Sequence, residues 1–92
     1  MAPIRYYIDP QTGEPHILRH SVGEDEVEEV LEHPGEDRAG RDESRVAIGQ
    51  TSGGRYIRVI YVQDAGGIFV VTAYELRGNA LTAYRRRRRK KR

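Results

Sequence analysis

Three observations predict an α+β fold: a small antiparallel β-meander with two helices packed on one face and a C-terminal helix running into a basic tail. Apolar runs rich in β-branched residues occupy 45–51, 55–63 and 68–76, punctuated by Gly53-Gly54 and Gly66-Gly67. An acidic stretch with helical apolar spacing leads up to Pro34-Gly35. The final residues, Arg85, Arg86, Arg87, Arg88, Arg89, Lys90, Lys91 and Arg92, are all basic. With 92 residues and 37% hydrophobic content the chain can build one small core, so 1–84 is expected to be a single domain and 85–92 its tail.

Each element follows from local chemistry. Ile4-Arg5-Tyr6-Tyr7-Ile8 is a candidate N-terminal strand that stops at Asp9-Pro10, and Gln11-Thr12-Gly13 is a turn. Thr12 can cap a short helix with Glu14 and Pro15 in its first turn and Ile17 and Leu18 inward, ending near His20. Ser21 and Glu24 have capping-box spacing. The helix this predicts over 24–33 sets Val27, Val30 and Leu31 at i, i+3 and i+4, its glutamates outward, and ends at Pro34-Gly35. Residues 35–44 lack apolar periodicity and predict a solvated loop.

In the meander, the glycine pairs supply the positive φ that hairpins require. Alternation predicts one apolar face of Val46, Ile48, Ile57, Val59, Phe69, Val71 and Ala73 under the helices, with Tyr56, Arg58, Thr72 and Tyr74 on the other face. After Gly78, Asn79 can cap a last helix containing Ala80, Leu81, Ala83 and Tyr84, expected to fray where the cations repel one another. The predicted order is β-α-α-β-β-β-α.

The chain has no cysteine, which excludes a disulfide framework and a thiolate metal site. Its longest apolar runs fall far short of the roughly 18 residues of a membrane helix. Residues 1–9 lack the basic start and apolar centre of a signal peptide. A soluble cytoplasmic protein without membrane association is the expectation. Net charge is +2 overall, but −6 once the eight cations of 85–92 are set aside, and Glu24, Asp25, Glu26, Glu28, Glu29 and Glu32 are concentrated in one segment. Such a tail can bind phosphates, fold back on that acidic segment, or simply keep the chain soluble.

Several segments resemble a known family: Arg19-His20-Ser21-Val22, Glu26-Val27-Glu28-Glu29-Val30-Leu31, Arg45-Val46-Ala47-Ile48-Gly49-Gln50-Thr51, Gly54-Arg55-Tyr56-Ile57-Arg58-Val59-Ile60-Tyr61 and Val70-Val71-Thr72-Ala73-Tyr74. Over about residues 16–85 they are similar to BrnT-like toxins of the RelE/ParE superfamily, and to a related family of uncharacterised bacterial domains of the same fold. The resemblance implies a metal-independent endoribonuclease neutralised by a small ribbon-helix-helix antitoxin. One departure stands out: where the toxins carry an arginine after Ser-Ala, this chain has Tyr74.

Cleaving RNA without a metal requires a base for the 2′-hydroxyl, cations for the phosphorane and an acid for the leaving oxygen. The residues that match the family's chemistry are Arg58, Tyr74, Arg77 and Tyr84, expected as catalytic groups, with Tyr61, Arg85, His16 and His20 nearby in type. Arg55 and the basic residues 85–92 are the expected nucleic-acid contacts. His16 and His20 stand at i, i+4, but no third ligand accompanies them, so neither a metal nor another cofactor is expected. The alternative function is a non-catalytic module of the same fold that binds nucleic acid or the ribosome through its Arg/Tyr sheet face and tail.

Overall fold

The structure, a computed structural model, describes residues 3–90, with only the backbone of Lys90. One sheet contains strands β1 (Ile4–Tyr6), β2 (Glu36–Ala39), β3 (Arg45–Gln50), β4 (Tyr56–Asp64) and β5 (Gly67–Glu75), in the order β1-β5-β4-β3-β2. Helices α1 (Glu24–Glu32) and α2 (Gly78–Lys90) and a 3₁₀ helix, His16–His20, complete an α+β fold.

β4 and β5 form the centre, where β-branched and aromatic residues suit a pleated surface. Asp64 pairs with Gly67, so their hairpin loop is Ala65-Gly66. Gly67 takes φ +112° with the Pro3 carbonyl standing where a Cβ would project, which makes glycine obligatory there. β3 joins antiparallel through a turn closed by Thr51 N–H donating to the Arg55 carbonyl at 2.8 Å. β1 lies parallel to β5, from Ile4 opposite Ile68 to Tyr6 opposite Val70.

The apolar faces differ from those that simple alternation predicts. Directly opposed residues share a face, and Ala47 pairs with Val59, Gly49 with Ile57 and Val59 with Ala73. Ile57 and Val59 therefore face α1 together with Ala47, while Val46 and Ile48 face the opposite side. The run Val46-Ala47-Ile48-Gly49 is buried throughout, so its pattern carries no parity. In β5 the pairing steps from Ile60 opposite Thr72 to Tyr61 opposite Val70, leaving Val71 as the extra residue of a β-bulge. Val70 and Ala73 consequently both enter the core beneath α1. Phe69 turns to the other face and is half-buried, and Val71 is exposed.

Both faces of the sheet are covered. On one, Ile17 of the 3₁₀ helix, Val22, and Val27 and Val30 of α1 pack on Ala47, Ile57, Val59, Tyr61, Val70 and Ala73. On the other, Tyr84 and Leu81 of α2 pack with Val46, Ile48, Leu76, Tyr56 and Ile60. Each of the largest buried side chains stabilises the fold by roughly 1.5–3 kcal/mol through removal from water.

Four local expectations are corrected. Ser21 takes φ 59° at the end of the 3₁₀ helix, and Gly23 caps α1, its N–H donating to Glu26 Oε1 at 3.1 Å. The 3₁₀ helix begins after Pro15 with no side-chain cap, although Thr12 Oγ1 accepts the Glu14 N–H at 3.2 Å. Residues 35–44 are not wholly loop, because β2 pairs antiparallel with β3. Its charges are matched in place: Glu36 with Arg38 at 3.3 Å, and Asp37 with Arg45 at 3.0 Å and with the Tyr61 hydroxyl at 2.7 Å. A short, charged strand is what an open sheet edge tolerates. Finally, α2 does not fray at Arg85 but stays helical to Lys90. No helix among the described residues is long and apolar enough to cross a membrane.

Candidate nucleic-acid interface

α2 is pinned to the sheet by Leu81 and Tyr84, which fixes the direction of the arginines that follow. Arg85, Arg88 and Arg89 stand at i, i+3 and i+4, on one flank of the helix. They line a groove of about 440 Å³ together with Tyr56, Tyr84, Gly35, His33, Pro34 and Gln50. The guanidinium of Arg85 lies over the Tyr56 ring at 5.0 Å, and Tyr56 meets Tyr84 edge to face at 6.0 Å. Arg88 Nη1 donates to the Gly35 carbonyl at 2.7 Å. Gly35 has no alternative, since the Tyr84 hydroxyl and Arg88 occupy the space of any side chain there.

Charge in the groove has one sign. No carboxylate lines it among the described residues. The neighbouring acid, Glu36, accepts a two-pronged guanidinium from Arg87 at 2.7 and 3.0 Å. Arg87 holds Glu36 below the usual glutamate range, against the opposing effect of burial. Arg85, Arg86 and Arg89 form no ion pair among the described residues and are exposed. Lys91 and Arg92 lie outside the described residues, as does the side chain of Lys90.

The remaining expected residues divide. Arg55 is committed to the body: it donates to Glu26 at 2.9 and 3.1 Å and to the Ser21 carbonyl at 3.0 Å, and lies 3.5 Å from Glu75. Arg58 is directly opposite Tyr74 on the face away from α1, and its buried Nε has no hydrogen-bond partner among the described residues. Tyr74 also lines a second, open cleft of about 260 Å³ with His20, Glu75 and Arg77. Arg77 is largely exposed and donates to Glu75 at 2.9 Å. Arg58, Tyr74 and Arg77 thus gather at one end of β4 and β5. Tyr84 stands apart, 4% exposed beneath α2, where burial pushes its hydroxyl above the ordinary tyrosine value.

Sequence reasoning missed Asp9, His33 and Gln50 as site residues. Asp9 is 4% exposed; its Oδ1 accepts the Gln11 N–H at 2.8 Å and its Oδ2 accepts Arg19 at 2.9 Å and contacts His16 Nδ1 at 3.2 Å. The Arg19 guanidinium, helped by the Gln11 N–H, holds this carboxyl at about 2. The rings of His16 and His20 are 5.2 Å apart, and His20 meets Tyr74 at 6.0 Å. The i, i+4 histidines are visible in the sequence, whereas the reach of Asp9 to Arg19 and His16 depends on a turn. No group of three metal-ligating side chains comes together among the described residues. No family model matches this chain, and neither a curated protein nor a solved structure is significantly similar to it.

Proposed function

We propose that this protein binds single-stranded RNA, free or on the ribosome, along the groove between α2 and the Pro34-Gly35 turn. The observation that carries this reading is the convergence of Arg85, Arg88 and Arg89 beside Tyr56 in a groove that no carboxylate lines among the described residues. Arginines on one flank of a helix neutralise successive phosphates, and Tyr56, with the Arg85 guanidinium over its ring, offers an aromatic and cationic surface for an unpaired base. Binding of this kind gives affinity without sequence choice.

The test is a salt titration with a labelled oligoribonucleotide. Replacing Arg85, Arg88 and Arg89 together by alanine is expected to weaken binding and flatten the log-log salt slope by roughly 0.7 for each phosphate no longer neutralised. An unchanged slope would put the binding surface elsewhere.

One observation favours a second reading, that the bound RNA is cut, as the resemblance to BrnT-like toxins of the RelE/ParE superfamily implies. Arg58 opposes Tyr74, and Tyr74 shares a cleft with Arg77, so a cation and a hydroxyl donor stand beside another cation, as a phosphoryl-transfer site requires. On that reading a small ribbon-helix-helix antitoxin is the partner, and an adjoining antitoxin reading frame would support it.

A further inference from the structure

We infer that His16 and His20 act as general base and general acid in cleaving RNA at its 2′-hydroxyl, with Asp9 as positioning residue. The inference rests on the second reading above, that bound RNA is cut.

The sheet edge creates the site. β1 covers β5 only from Ile68 to Val70, so the edge beyond is left to the 3₁₀ helix, which brings His20 against Tyr74. His16 stands next to His20 in that helix, with its side chain 29% exposed. Asp9 is an acceptor only, so the His16 Nδ1 facing it carries the proton, and Nε2 keeps its lone pair while the ring is neutral. His20 is exposed and lines the same cleft as Tyr74 and Arg77. Arg58, across the ladder from Tyr74, adds a second guanidinium at the same end of the sheet. The charged groups around the pair are Asp9 and Arg19 beside His16, and Glu75 and Arg77 beside His20.

The step balances within this set. The 2′-hydroxyl gives its proton to His16 Nε2, the 2′-oxygen bonds to phosphorus, and the P–O5′ bond breaks. The departing 5′-oxygen takes a proton from His20, while Arg77 and the Tyr74 hydroxyl stabilise charge on the phosphoryl oxygens. The products are a 2′,3′-cyclic phosphate and a 5′-hydroxyl end, and exchange with water returns both imidazoles to their starting states.

The experiment uses the full chain with a mixed-sequence oligoribonucleotide and its fully 2′-O-methylated copy. Wild type is expected to cut the first into fragments ending in cyclic phosphate and to leave the second whole. His20→Ala changes an exposed side chain outside both cores, so it is expected to stay folded and keep its RNA affinity while the rate falls a hundredfold or more. His16→Ala should lose as much and remove the limb of the bell-shaped pH–rate curve that reports the base. Asp9→Asn should lower kcat with KM unchanged, as loss of an interaction made only in the transition state does, and should shift the limb of the pH–rate curve that His16→Ala removes. Cleavage at wild-type rate by both histidine variants overturns the inference and leaves the ribonuclease reading standing. No cleavage by wild type overturns both, whereas RNA binding is decided independently by the salt titration.

Discussion

Asp9 shows how much one side chain can decide. An unfolded aspartate titrates near 3.9, while Asp9 in the folded protein is held at about 2 by Arg19 and the Gln11 N–H. A depressed carboxyl stabilises the fold fully above the unfolded value, and the contribution is lost as pH falls through the folded value. Denaturant titrations are therefore expected to show stability dropping between pH of about 4 and about 2, a loss that Asp9→Asn should reduce while the depressed carboxyls of Glu36, Asp64 and Glu75 keep the remainder. A variant with the same acid profile as wild type would mean that other carboxylates dominate. At this scale the sequence discloses which residue types carry chemistry but not which meet. Arg58 and Tyr74 are legible as one face, because β4 alternates cleanly, while the Asp9-His16 contact needs the Pro10 turn to close first.

Among the elements, α2 is the least expected. Consecutive arginines repel at i and i+4, yet the helix persists to Lys90. Cations near a helix C-terminus are favoured by its dipole, and Arg87 has an anchor in Glu36 of β2. Glu36→Ala is expected to release the end of α2, seen as faster amide hydrogen exchange over 86–90 with exchange in β4 unchanged. Slow exchange there in the variant would assign the helix end to its dipole and to the hydrogen bond from Arg88 to the Gly35 carbonyl. β2 itself was illegible because its residues Glu36, Asp37 and Arg38 have no apolar alternation; their order comes from ion pairs with Arg38, Arg45 and Arg87. β3 was legible as a strand but not in its facing, since every residue from Val46 to Gly49 is buried.

For the molecule as a whole, the last side chain needed by either core is Tyr84. A chain ended there is expected to unfold cooperatively in denaturant, with a near-UV dichroism spectrum close to that of wild type, yet to bind RNA weakly and with little salt dependence. Collapse of the truncated chain would instead show that Arg87 and Arg88 are part of what holds the second face closed. The overall class was readable from three apolar runs and an acidic helix. The covering of both sheet faces was not, because it depends on the β5 bulge and on the inward turn of Val46 and Ile48.

That bulge also sets which changes of length the chain can absorb. Val71 is the residue by which β5 exceeds its partner, so a deletion there would join Val70 to Thr72 in regular pairing and leave each side chain on its present side. Losing one residue in β4, Val59 for instance, has no such slack to draw on and turns half the strand inside out. Single-residue gaps should therefore be tolerated in the middle of β5, far from any hairpin tip, and excluded from the strand beside it.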